Sequence, residues 1–68
     1  SIREKILFFL EQKTQHKNNK SIYIKSKKEL AEYLNIPRPS LSRELINLQN
    51  ENIISFDKHY IYLKKDIY

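Results

Sequence analysis

Sixty-eight residues, 40% of them hydrophobic and 31% charged, suffice for one small folded unit; a chain of this size buries only about 60% of its unfolded surface, which leaves little room for an enclosed active-site cavity beside the core. Thirteen Lys and Arg against eight Asp and Glu give a net charge of +5, a balance that favours an anionic partner such as nucleic acid. Neither Cys nor Gly occurs, which excludes disulfides, thiolate metal sites and Gly-rich phosphate loops and leaves tight turns to Asn and Asp.

Ser1 and Glu4 stand at capping-box spacing, and Ile2, Ile6, Phe9, Leu10 and Lys13 follow at helical intervals, so a first helix is expected over residues 2–13. The run Ile6-Leu7-Phe8-Phe9-Leu10 is the longest apolar stretch, far below the ~20 residues that cross a bilayer. Glu11 closes it before it reaches the length of a signal peptide, so no membrane partner is expected. Residues 13–20 are polar and read as a loop. The β-branched and aromatic segment 21–25 reads as a short strand.

Ser26 and Glu29 repeat the capping-box spacing directly before Leu30, Ala31 and Leu34, which predicts a second helix over 27–34. Pro37 forces Ile36 out of the helical region and ends it. A third helix starts near Arg38 or Pro39, where proline is tolerated because first-turn amides have no acceptor. Leu41, Leu45 and Leu48 form its buried stripe, with Ser40, Ser42, Arg43 and Asn47 facing outward. It stops around Asn50-Glu51-Asn52, an Asn serving where Gly is usual. Two strands, 53–56 and 60–63, close the chain as a hairpin through Asp57-Lys58-His59.

This order predicts an α+β winged helix-turn-helix: three helices, a short strand after the first, and a C-terminal β-hairpin wing, all in one domain over 1–68. The small Ala31 lets the third helix pack closely across the second, with Leu30, Leu34, Ile36 and Leu41 filling the angle. In such a fold the third helix projects its N-terminal residues into a DNA major groove. Arg38 and Arg43 lie near that end and can each donate two hydrogen bonds to guanine. Ser40 and Ser42 are short enough to approach a base edge or a phosphate. Ser26, Lys27 and Lys28 open the second helix, where amides and the helix dipole favour phosphate.

The stretch Lys28-Glu-Leu-Ala-Glu-Tyr-Leu-Asn-Ile-Pro-Arg-Pro-Ser-Leu-Ser-Arg-Glu-Leu45, followed by Asn52-Ile-Ile54, resembles the C-terminal domain of the cyclic-AMP receptor protein/fumarate-nitrate regulator (Crp/Fnr) family. The resemblance extends over essentially the whole chain. It implies a bacterial, cytoplasmic transcription regulator whose N-terminal sensor barrel and dimerisation helix lie outside residues 1–68. The full protein would be a homodimer that reads a palindromic double-stranded operator and contacts RNA polymerase. The domain itself would need no cofactor, the effector belonging to the sensor part. By the resemblance, Arg38, Ser42 and Arg43 read bases, while Ser26, Lys27, Lys28, Ser40 and the wing around Lys58 hold phosphates. The sequence departs from the family pattern at Pro39, where many members carry a cytosine-reading Glu. It departs again at Pro37, where Ser or Thr often caps the recognition helix, and at Asp57-Lys58, where Gly is common. No heptad seam is evident, so the isolated domain is expected to be a monomer.

Other readings of the same residues compete. A winged helix can instead serve protein–protein contact, its basic face being incidental. Arg38 and Arg43 can be surface residues paired with Glu44 and Glu32. An enzyme is not expected, because no base-and-orienter pair accompanies Ser40 or Ser42. His16 and His59 lack neighbours at metal-ligand spacing and read as solvated. The aromatic residues could stack on single-stranded bases. Phe8, Phe9, Tyr23 and Phe56, however, fall within apolar periodicity and are expected at the core or its edge. Tyr33, Tyr60, Tyr62 and Tyr68 stay open.

Overall fold

The computed structural model describes residues 1–14 and 20–64. Helix α1 (Ile2–Thr14) leads into strand β1 (Ser21–Tyr23), followed by α2 (Lys27–Leu34), α3 (Arg38–Asn50), β2 (Ile54–Phe56) and β3 (Tyr60–Leu63). The three strands form one antiparallel sheet in the order β1-β3-β2. This is the expected α+β winged helix-turn-helix. Its boundaries differ by a residue or two: α1 takes in Thr14, β1 stops at Tyr23 and β2 starts at Ile54. His16, Tyr68 and most of the expected 13–20 loop lie outside the described residues.

Both capping sequences act as their spacing predicts at the amide. Ser1 Oγ accepts from the Glu4 amide at 3.2 Å, and Ser26 Oγ accepts from the Glu29 amide at 3.1 Å. The Glu29 carboxylate does not return to Ser26; it pairs with Lys25 Nζ at 3.6 Å. Helix α3, by contrast, is preceded by Pro37 and has no side-chain cap.

Two helices end alike. Asn35 (φ 58°) follows α2 and Asn52 (φ 66°) closes α3, the left-handed positions that the glycine-free sequence gives to asparagine. In each case the next amide reaches back five residues, Ile36 to the Ala31 carbonyl at 2.9 Å and Ile53 to the Leu48 carbonyl at 3.0 Å. The isoleucine after each asparagine is thereby turned toward the core: Ile36 is buried and Ile53 packs at the edge.

The core forms where the sheet's inner face meets the helices. Ile6 and Leu10 of α1, Leu41, Leu45 and Leu48 of α3, and Ile54 and Ile61 of the sheet are fully covered, each burial contributing about 1.5–3 kcal/mol. Thr14 is buried among them and donates its hydroxyl to the Leu10 carbonyl at 2.9 Å. The register pairs Ile22 with Ile61 and Ile54 with Leu63 on the inner face, and Tyr23 with Tyr60 on the outer.

Two aromatic expectations need correction. Phe8 is 62% and Tyr23 61% exposed, not core. Five consecutive apolar residues turn around the whole circumference of a helix, and only Ile6 and Leu10 point fully inward. Tyr23 has the opposite strand parity to the buried Ile22 and so faces solvent. Phe9 and Phe56 do pack at the core edge.

Candidate nucleic-acid interface

The α2–turn–α3 corner is set by apolar packing. Ala31 is 3% exposed, and Leu30, Ile36 and Leu41 are buried around it, with Leu34 partly so. Fixing the corner fixes how the N-terminal end of α3 stands relative to α2 and to the sheet.

At that end a groove of about 400 Å³ opens between the start of α2, the start of α3 and the hairpin tip. Ser26, Lys27, Arg38 and Lys58, separated by up to 32 positions in sequence (58 − 26), line it together with Lys25, Phe56 and Asp57. Lys25, Lys27, Arg38 and Lys58 thus face one another across a small space, with Asp57 the carboxylate among them. Such an arrangement suits an oxyanion, because several cationic donors converge at the N-terminal ends of two helices, where the helix dipoles also favour negative charge.

Lys27 is held in an unexpected way. Its Nζ sits over the Phe56 ring, 4.7 Å from the centroid, a cation–π contact that ties the start of α2 to the wing. The lysine was legible in the sequence as a phosphate contact, but its ring partner was not.

The hairpin tip is organised by Asp57 in place of glycine. Its Oδ1 accepts from the His59 and Tyr60 amides, both at 2.9 Å, and its Oδ2 accepts from the Tyr62 hydroxyl at 3.3 Å. The His59 amide hydrogen bond holds the Asp57 carboxyl below the usual carboxylate range, and the Tyr60 and Tyr62 donors add to it. Desolvation and the neighbouring Asp57 charge push the Tyr62 phenol upward. Lys58 is presented at the tip, exposed.

Along α3, Arg38 and Arg43 are exposed, whereas Ser40 and Ser42 are half-buried and less prominent than their expected outward position. Arg38 stands in the groove with the lysines; Arg43, Ser40, Ser42 and the exposed Lys28 lie outside its lining. Of the two carboxylates expected as alternative partners of the arginines, Glu44 and Glu32, Glu44 is engaged elsewhere. Arg3 of α1 donates from Nε to Glu44 Oε2 at 2.6 Å and from Nη1 to Glu51 Oε1 at 2.9 Å. The Glu51 hydrogen bonds, then the one to Glu44, raise the guanidinium's already high pKa further. This clamp joins α1 to α3 across 41 and 48 residues, and no local pattern announced it.

His59 stacks on Tyr23 with ring centroids 6.2 Å apart. Among the described residues no group of three His, Cys, Asp or Glu is placed to hold a metal, and no helix is long and apolar enough to cross a membrane.

No curated protein matches the sequence. The family model of the Crp-like helix-turn-helix domain matches residues 5–65, which takes in most of α1, the whole of α2 and α3, the groove and the wing. The chain belongs to the Crp-like helix-turn-helix domain family of DNA-binding transcription regulators.

Proposed function

We propose that the chain is the sequence-specific, double-stranded DNA-binding output domain of a Crp/Fnr-type regulator. The observation that carries this reading is the convergence of Lys25, Lys27, Arg38 and Lys58 in one groove beside the exposed start of α3. In this reading α3 enters the major groove, Arg43 and Ser42 read bases, and a phosphate of the flanking backbone lies against Lys27, Ser26 and Lys58. Arg38, which lines the groove with the lysines, takes phosphate as well as base. Lys28 and Ser40 complete the backbone contacts.

The same reading places a sensor part and a dimerisation helix N-terminal to this domain in a cytoplasmic homodimer. Two copies then engage palindromic half-sites roughly 34–36 Å apart and contact RNA polymerase. The DNA-binding domain works without cofactor or catalysis.

A second reading, a protein-interaction module, draws support from another surface. Phe8 and Tyr33 are 62% and 73% exposed beside a cleft between α1 and α2 that Phe9 and Leu34 also line. Selection from a randomised duplex pool at low salt separates the two. Enrichment of a half-site motif supports the DNA reading. Absence of duplex binding refutes it and transfers the function to the α1–α2 cleft.

A further inference from the structure

The outward face of the sheet carries rings that neither the core nor the basic groove uses. Tyr23, Tyr60 and Tyr62 are 61%, 40% and 39% exposed. They form a continuous row: Tyr62 stacks on Tyr60 at 5.9 Å between centroids, and Tyr60 meets Tyr23 edge-on at 5.6 Å. His59 extends the row by lying nearly parallel to Tyr23, at 17°. A three-stranded sheet needs apolar side chains on its inner face, where Ile22, Ile61 and Leu63 already stand. Aromatic rings grouped on the opposite face leave an exposed patch that solvation does not favour.

Position and charge say what chemistry this patch fits. His59 follows Lys58, which lines the basic groove, so the row continues the candidate DNA interface over the wing. Lys64 stands just beyond the other end of β3, its Nζ donating to Asn52 Oδ1 at 3.1 Å. The nearby carboxylate, Asp57, is turned to two backbone amides and the Tyr62 hydroxyl, and its charge is outnumbered by those of Lys58 and Lys64. Ring faces between cations are what a single strand requires, since every base has a π-face and every nucleotide a charge.

We propose that Tyr23, Tyr60 and Tyr62, continued by His59, form a stacking surface for unpaired bases of a nucleic-acid strand whose backbone runs past Lys58 and Lys64. The inference rests on the DNA-binding reading, because it treats the row as a continuation of that interface. It adds a second substrate form, single-stranded DNA at a melted or unpaired segment beside the duplex held by α3.

The test uses the 68-residue chain with a labelled oligothymidine and, in parallel, a duplex carrying the selected half-site. Three variants are compared: Tyr23→Thr/Tyr60→Thr/Tyr62→Thr, the corresponding triple Tyr→Phe, and the single Tyr23→Thr, which leaves the β2–β3 hairpin untouched. Threonine keeps strand propensity, and circular dichroism checks the fold. The triple Thr variant should lose roughly ten-fold in oligothymidine affinity, the size of effect that removing a base–aromatic stack produces. The Phe variant, which keeps the rings, should bind oligothymidine like the parent, and Tyr23→Thr, which leaves the Tyr62–Asp57 contact of the wing tip in place, should bind duplex like the parent. Tyr23→Thr should reproduce part of the single-strand loss, so unfolding of the triple variant leaves the question decidable. Unchanged oligothymidine binding in the Thr variants overturns the stacking surface while intact duplex binding leaves the DNA reading standing. Equal loss of duplex and single strand in Tyr23→Thr also overturns it. Failure of the parent to bind duplex overturns the DNA reading itself.

Discussion

In the corner between α2 and α3, Leu30, Ala31, Ile36, Leu41 and Leu45 are almost wholly withdrawn from water. The wing tip faces the same groove from the other side and rests on surface contacts instead. Asp57 gathers two amides and a hydroxyl, and Lys27 lies on Phe56. The corner is therefore fixed by non-directional packing that also holds the fold together. The wing tip, unlike the buried strands behind it, is fixed by directional contacts that do little for global stability. The difference teaches that α3's orientation is coupled to the stability of the domain, whereas the wing tip can be altered separately.

The strongest break of the corner is Leu45→Ala. Removing this fully buried side chain should cost about 2–5 kcal/mol, read as a large fall in melting temperature with duplex binding lost alongside. At the end of the same helix, Asn52→Ala should cost about 1–2 kcal/mol, because alanine pays the left-handed penalty that asparagine's local hydrogen bonding relieves. Asn52→Gly should be close to neutral, which separates the backbone cause from any side-chain contact. A smaller effect is expected at the groove's edge, where Ser26→Ala removes the α2 cap and should cost about 1 kcal/mol.

The smallest stability effect belongs to the wing. Its Asp57 carboxyl lies below its usual range in the folded chain, so its contacts add stability above the unfolded pKa. That contribution disappears as pH falls through the folded value. Melting curves at a series of acidic pH values should show an acid-side loss that Asp57→Asn flattens. An unchanged acid limb in that variant would mean the tip is not held by the carboxylate.

Much of the corner was legible from sequence because its causes are local or periodic. The Leu41, Leu45 and Leu48 stripe, the Ser26 cap and the glycine-free helix ends each follow from a few adjacent residues. Pro37 marked the break before α3, and the structure adds that α3 goes without a side-chain cap there. The wing was legible as a hairpin, but its fastening was not. Lys27 over Phe56 and Arg3 between Glu44 and Glu51 join residues far apart in the chain, and neither carries a spacing signal. Exposure of Phe8 and Tyr23 was misjudged because apolar identity was given more weight than helical angle and strand parity. The predicted phosphate contacts Ser26, Lys27 and Lys58 do share one groove, joined there by Arg38. Lys25 was missed, although its position before the Ser26 cap, four residues from Glu29, was readable.

The most direct test of the central claim, that α3 reads sequence while the groove and wing hold backbone, crosses two variants with two DNAs. Arg43→Ala and Lys58→Ala are titrated against the selected half-site duplex and against random duplex at several salt concentrations. The account predicts that Arg43→Ala loses about 1–3 kcal/mol on the selected site and little on random DNA. Lys58→Ala should weaken both equally and lower the salt slope by about one. Equal loss from Arg43→Ala on both duplexes, or a sequence-dependent loss from Lys58→Ala, would contradict this division of labour.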